Sequence, residues 1–155
     1  MHFRAGVVAV VHDSVGRLLV FERSDVAGQW QLPQGGIGRG EDPRAAVWRE
    51  LAEETGLTAE HVHLFDEYPE WTVYEWPPDV RPAGKRLGQA QRWFAFEALD
   101  DAVVPQPDGD EFVDWRWTEP RWLIDQIVEF RRAVYERVLS SWPAPSERRV
   151  ERQFR

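Results

Sequence analysis

Residues 35–57 read GGIGRGEDPRAAVWRELAEETGL, a glycine-rich loop running into an acidic helix. Asp42 stands where an N-cap belongs, and Pro43 suits the first helical position because its missing N–H is one that a helix start leaves unbonded anyway. Gly56 supplies the stop, since glycine adopts the left-handed conformation that closes a helix. At about 100° per residue, Glu50, Glu53 and Glu54 fall within a sector of roughly 100°, and Ala45, Trp48, Leu51, Ala52 and Thr55 fall on the opposite face. The spacing predicts a helix over 43–55 that packs one face on a core and presents three carboxylates on the other. Arg49 borders the acidic sector, in position to hold a carboxylate.

Three clustered carboxylates repel one another and raise each other's pKa. A hard divalent cation removes that conflict, because Mg²⁺ and Mn²⁺ take oxygen ligands. An acidic helix alone is most often a solvated face. Here Gly35, Gly36, Gly38 and Gly40 precede it, and glycines allow close approach of a ligand to the backbone. A glycine loop, a distant Glu41 and the glutamate triad, all in one register, are strong evidence for a site.

Together these positions fill the pattern G-x5-E-x7-R-E-U-x-E-E-x-G-U, with Leu51 and Leu57 at the aliphatic positions U. Seven fixed identities at usage of roughly 5–7% each make a chance match on the order of one in a billion per start position. The segment resembles the signature of the Nudix hydrolases at every position. The resemblance implies an α/β Nudix-type α/β/α sandwich with a mixed central β-sheet. It also implies a divalent-metal-dependent hydrolase, using Mg²⁺ or Mn²⁺, that cleaves phosphoanhydride bonds in nucleoside polyphosphates.

Length and composition agree with one domain over residues 1–142, followed by a polar, basic tail at 143–155. With 27 acidic against 19 basic residues the net charge is −8, so no overall basic character supports binding to duplex DNA. A polyanionic substrate then requires local positive charge and metal ions. The chain has no cysteine, which excludes disulfides, thiolate metal sites and cysteine nucleophiles and fits a cytoplasmic protein. The apolar run in MHFRAGVVAVVHD is too short for a membrane span or a signal peptide. Either a monomer or a homodimer is compatible with the sequence.

Along the chain, 5–12 and 17–22 read as strands joined by a turn, a hairpin. Residues 30–32 are a short extended piece. One or two strands lie within 62–76, a loop or arm at 77–87, and strands at 90–99 and 112–117. Residues 120–141 read as one long amphipathic helix. Strands mixed around two helices suggest three layers.

The likeness extends beyond the box. Trp30-Gln-Leu-Pro-Gln-Gly-Gly36, Gly88-Gln-Ala-Gln-Arg-Trp-Phe94, Glu111-Phe-Val-Asp-Trp-Arg-Trp117 and Phe130-Arg-Arg-Ala-Val-Tyr135 resemble segments of bacterial RNA pyrophosphohydrolases and diadenosine polyphosphate hydrolases. Tyr74 stands seventeen residues after Leu57, where dinucleoside polyphosphate hydrolases tend to carry tyrosine; ADP-ribose hydrolases tend to carry proline two residues earlier, where Thr72 stands. The N-terminal FRAGVV departs from the longer segment of the bacterial RNA enzymes.

By this resemblance Glu53 and Glu54 are metal ligands, Glu50 orients or deprotonates the water and touches metal, and Arg49 joins the catalytic set. Glu111 resembles a further metal-binding carboxylate, with Asp110 as its rival, and the backbones of Gly35 and Gly36 face the metal and phosphates. Guanidinium groups pair with phosphate oxygens bidentately, so Arg4, Arg23, Arg92 and Arg131 are candidates for gripping the polyphosphate. Tyr74 and Phe130 are candidates for stacking a nucleobase. Gln34, Gln89 and Gln91 are placed to hydrogen-bond a base or the sheet. The expected substrate is a dinucleoside polyphosphate or the 5′-triphosphate end of RNA. The competing readings are an ADP-ribose or nucleotide-sugar hydrolase sharing the same box, and a non-catalytic nucleotide-binding module on the same scaffold.

Overall fold

The computed structural model describes residues 2–81, 84 and 86–144; most of the tail expected at 143–155 lies outside them. The elements run β1 (His2–His12), β2 (Leu18–Arg23), β3 (Trp30–Gln31), β4 (Gln34–Gly36), α1 (Pro43–Thr55), β5 (Val62–Glu67), β6 (Thr72–Glu75), β7 (Arg86–Ala98), β8 (Phe112–Thr118), α2 (Pro120–Gln126) and α3 (Glu129–Leu139).

The run Val7-Val-Ala-Val-Val11 is apolar at every position, the mark of a strand covered on both faces. It forms the middle of β1, which pairs in parallel with β7 from His2 to His12. Val7, Ala9 and Val11 join Phe94, Phe96, Leu19 and Phe21 beneath Ala46, Val47 and Leu51 of α1. On the other face Val8 and Val10 join Leu18, Val20 and Trp93 beneath Leu123 and Ile124 of α2 and Tyr135 and Val138 of α3. Two cores on opposite faces of one mixed sheet make the expected α/β/α sandwich. Large side chains such as Trp93, Phe94 and Phe96 are fully enclosed, each contributing roughly 1.5–3 kcal/mol of transfer free energy.

The hairpin expected from β1 and β2 is pinched to a single pair, His12 with Leu18. The turn itself is tight: the buried Asp13 carboxylate accepts from the N–H groups of Val15 and Arg17. Beyond it the strands part. β4 takes the edge of β1 at Gly6–Val8, and β8 pairs with β2 along its length.

The helix over 43–55 forms as expected and ends on Gly56 at φ 73°, but Asp42 makes no side-chain cap. Its packing face is rolled from the expected one. Ala46, Val47, Leu51, Glu54 and Thr55 are buried, while Ala45 and Ala52 turn to solvent. The roll turns the Glu50 and Glu54 side of the helix in toward β4.

The expected helix at 120–141 is two helices. Ile127 and Val128 adopt extended backbone, with ψ of 147° and 140°, a conformation β-branched residues favour. Arg132 donates to the carbonyls of Ile124 and Ile127 at 3.2 and 3.1 Å, satisfying the end of α2. The apolar stripe of Leu123, Ile124, Ile127, Tyr135 and Val138 continues across the break, so periodicity alone reads as one helix.

Candidate active site

Arg49 is the hub of the loop–helix segment. Its Nε and Nη2 donate to both Glu41 carboxylate oxygens at 2.8 and 2.9 Å, its Nη1 to Glu50 at 2.8 Å and Glu53 at 3.3 Å, and its Nη2 to the Gly36 carbonyl at 2.9 Å. The second grip on the loop comes from Gly38, whose N–H donates to Glu41 Oε1 at 2.8 Å. The Arg49 hydrogen bonds, then the Gly38 N–H, hold the Glu41 carboxyl down to about 2. Its partner Arg49 is raised above the ordinary arginine value, first by Glu41 and then by Glu50. Glu41 at the loop and Arg49 on the second turn of α1 therefore tie the glycine loop to the helix.

Gly35 is required where it stands: a Cβ there would overlap the Glu50 carboxylate. Glu54 lies deeper, only 7% exposed. Burial first, and then the facing charges of Glu50 and Glu111, push its carboxyl well above the usual carboxylate range. Its Oε2 has no hydrogen-bond partner. Glu111, rather than Asp110, is the outside carboxylate that acts on Glu54, and it also acts on Arg23.

These side chains do not yet converge: among the described residues no group of three His, Cys, Asp or Glu is gathered closely enough to hold an ion. Glu53 is turned toward Arg49 and Glu111 is exposed. The donor set nonetheless fits a hard divalent cation. It offers only oxygen, it brings Glu50 and Glu54 into mutual repulsion, and it leaves a buried carboxylate oxygen unpartnered.

A second set of the expected residues assembles on the α3 side of the sheet. Gln91 Nε2 donates to Gln34 Oε1 at 3.2 Å and to Gln89 Oε1 at 2.9 Å. Arg131 Nη1 donates to Gln31 Oε1 at 2.7 Å, and Arg23 Nη1 donates to the same oxygen at 3.1 Å. Arg23 is also clamped by Asp25, whose hydrogen bond is the main cause of its raised pKa. The rings of Tyr74 and Phe130 lie 5.7 Å apart, and the Arg131 guanidinium stands 5.7 and 5.3 Å from them. Buried polar groups are normally hydrogen-bonded. Here Gln31 Nε2, Gln91 Oε1, Tyr74 OH and Arg131 Nε all lack a partner, so polar atoms remain for a ligand or water to satisfy.

A cavity of about 340 Å³ opens beside this set, bordered by Arg23, Trp76, Val80, Phe130 and Arg131. Phe130 faces it. Tyr74 does not line it: it is buried behind Phe130 and Arg131 and supports them, although the sequence suggested direct stacking on a base. Gln31 belongs to the site and was not singled out from the sequence. Its signal was its place in Trp30-Gln-Leu-Pro-Gln-Gly-Gly36, between Trp30 and Leu32.

Arg4 and Arg92 separate from that set. Arg4 lies against Gly36, where a Cβ would overlap its guanidinium. Arg92 is ion-paired with Glu67 and covers Trp71 at 5.5 Å. Its neighbours Gln91 and Trp93 point to the α3 side, and successive strand residues point to opposite faces, so Arg92 is directed away from the glutamine set.

A three-layer α/β/α sandwich with a glycine loop latched by arginine to an acidic helix sets carboxylates beside open backbone, an arrangement suited to a cation and a phosphate. A NUDIX domain model matches residues 2–138, and the chain belongs to that family. It is similar to the RNA pyrophosphohydrolase of Acidiphilium cryptum, 46% identical over 145 residues, covering 88% of this chain and 87% of the relative. The RNA pyrophosphohydrolase of Dinoroseobacter shibae is 42% identical over 146 residues, covering 90% and 91% respectively. Its fold is similar to that of the E. coli dihydroneopterin triphosphate pyrophosphohydrolase, with TM-score 0.73, 19% identity and coverage of 92% of this chain and 100% of that one. The protein is a Nudix hydrolase. Among the described residues no helix is long and apolar enough to cross a membrane.

Proposed function

We propose that the protein removes pyrophosphate from the 5′-triphosphate end of RNA, with dinucleoside polyphosphates as a second substrate, in the cytoplasm and with Mg²⁺ or Mn²⁺. The observation that carries this reading is the pairing of two sites. One is the carboxylate set of Glu50, Glu53, Glu54 and Glu111; the other is the nucleoside-sized cavity beside Phe130, Arg131 and Arg23. The similarity to RNA pyrophosphohydrolases supports the choice of RNA.

Glu50, Glu53, Glu54 and Glu111, with the Gly35 backbone, would hold the cation. When bound, it neutralises phosphate charge and acidifies water. The chain supplies the rest. Glu41 and Arg49 fix the loop beside the carboxylates. Glu50, pressed against Gly35, is placed to accept a proton from the attacking water. Phe130 stacks the terminal base, and Arg131 and Arg23 present cations near the first phosphate. Phosphoryl transfer draws mostly on such positioning and charge.

The test is turnover of 5′-triphosphate RNA, diadenosine tetraphosphate and ADP-ribose at equal enzyme, with Mg²⁺ and with Mn²⁺. The expected outcome is kcat/KM for the RNA at least about tenfold above ADP-ribose, a difference of 1.4 kcal/mol in transition-state binding. A preference for ADP-ribose would overturn the reading. The catalytic reading as a whole would fail if all three substrates stayed intact, leaving a non-catalytic nucleotide-binding module.

A further inference from the structure

A second cavity, about 440 Å³, lies on the far side of the glycine strand and is bordered by His2, Phe3, Arg4, Gly36, Glu50 and Arg86. It forms because β4 covers the edge of β1 only at Gly6–Val8. Ile37 adds one hydrogen bond to the Ala5 carbonyl, so the edge from His2 to Arg4 stays open on that side. Its walls are mixed. Phe3 is 36% exposed, and Ala5 continues across the sheet into Ala90 and the exposed Val73 as one apolar row. The guanidiniums of Arg4 and Arg86 have no hydrogen bond or ion pair among the described residues. In a chain of net charge −8, two unpartnered guanidiniums beside an exposed ring fit an anionic ligand that also carries an aromatic group.

The position of this cavity relative to the first one selects the ligand. Arg4, Gln89 and Tyr74 stand in one register row across β1, β7 and β6, a width of about 10 Å at ordinary strand spacing. One end of the row leads to Phe130 and Arg131, the other to Gly36, Glu50 and the second cavity. With the first nucleoside beside Phe130, a 5′-triphosphate ends over the carboxylates, and the RNA chain leaves from the nucleoside. Nothing of such a substrate reaches the second cavity. A dinucleoside polyphosphate continues past the carboxylates and carries a second nucleoside there.

We propose that Phe3 and Arg86 form a subsite for the distal nucleoside of a dinucleoside polyphosphate, Phe3 stacking its base and Arg86 pairing with its adjacent phosphate. The inference rests on the reading that the first nucleoside occupies the Phe130 cavity. The test compares diadenosine tetraphosphate with adenosine 5′-tetraphosphate, which differ only in the second nucleoside, and includes 5′-triphosphate RNA. Phe3→Ala and Arg86→Ala alter exposed side chains. Phe3→Ala is expected to lower kcat/KM for the dinucleotide roughly tenfold, mainly through KM, and to leave the other two substrates unchanged; Arg86→Ala is expected to lower it for the dinucleotide and for the tetraphosphate, which keeps the phosphate Arg86 pairs with, and to leave the RNA unchanged. Phe3→Tyr keeps the ring and is expected to retain dinucleotide turnover.

An equal fall on all three substrates, or no fall on any, would overturn the subsite. So would a change in oligomeric state in Phe3→Ala, measured by light scattering, because the exposed row would then be an interface between copies of the chain. Wild-type protein that cleaves the RNA but not the dinucleotide would sink this inference and the second substrate with it, and leave the RNA reading standing. Wild-type protein that cleaves none of the three would sink the proposed function instead.

Discussion

The two halves of the site are built in opposite ways. On the α1 side, formal charges hold everything: Arg49 binds Glu41, Glu50 and Glu53, and Glu54 is buried against Glu50 and Glu111. On the α3 side, neutral amides do most of the work, with Gln34, Gln89 and Gln91 forming one chain and Gln31 receiving two guanidiniums. The charged half comes from a single stretch of sequence, residues 35–54, apart from Glu111. The amide half draws on β2, β3, β4, β6, β7 and α3. A reacting centre needs carboxylates and cations at short range in fixed register, which one loop and one helix supply. A cavity for a nucleoside needs walls on several sides, which no single segment can supply.

The sharpest way to break this comparison is Glu53→Gln. Glu53 is exposed and contributes little to packing, so the variant is expected to fold with an unchanged melting temperature. Its kcat should fall by roughly 1000-fold or more, because one carboxylate is lost from the cation site. Substantial residual activity would show that the charged half is not where the chemistry happens.

A smaller effect of a different kind is expected from Arg131→Met. Methionine keeps much of the side-chain volume but removes the cation beside Phe130 and the hydrogen bond to Gln31. KM for triphosphate RNA should rise roughly tenfold with kcat changed much less, the signature of a group that binds without taking part in the reaction. An equal loss in kcat would erase the division between the two halves.

A third effect, on stability rather than turnover, separates the halves by pH. Burial pushes the Tyr135 hydroxyl up to about 12. Its folded-state pKa lies above its unfolded value of 10.0, so the neutral hydroxyl favours the fold. That contribution is present in full below pH 10 and fades as pH rises toward 12, amounting to roughly 2–3 kcal/mol. Glu41 on the charged half behaves in the reverse sense. Its folded pKa of about 2 lies below the ordinary glutamate value of 4.5, so its pairing with Arg49 favours the fold above that value and is lost as pH falls through 2. Denaturation midpoints measured across pH should show the alkaline loss reduced in Tyr135→Phe and the acid limb unchanged. An alkaline limb identical to wild type would show that Tyr135 is not its source.

How much was legible in advance follows the same division. Residues 35–57 carry their own register, so helix α1, its Gly56 stop and the Glu–Arg cluster can be read from spacing alone. The roll of that helix cannot. The pattern offered Ala45 and Ala52 to the core, whereas Ala46, Val47 and Glu54 are buried, because Glu50 and Glu54 face the glycine strand β4, whose place is set by its pairing with the distant β1. Tyr74, Arg92 and Gln31 show the same limit. Each was visible as a residue, but whether it reaches the cavity depends on strand parity and on what lies in front of it.

The sequence by itself determined the family and the three-layer architecture and singled out the carboxylates of the proposed reacting centre, since local spacing and periodicity are enough to specify a helix, a loop and a buried strand. The tertiary structure alone decided which side chains meet. It broke the last helix at Ile127 and Val128, set Tyr74 behind Phe130, joined Gln31 to both Arg23 and Arg131, and left Arg4 and Arg86 unpartnered beside Phe3 among the described residues. Those outcomes depend on contacts between segments far apart in the chain, whose geometry is fixed only when the sheet pairs and the two cores close on it.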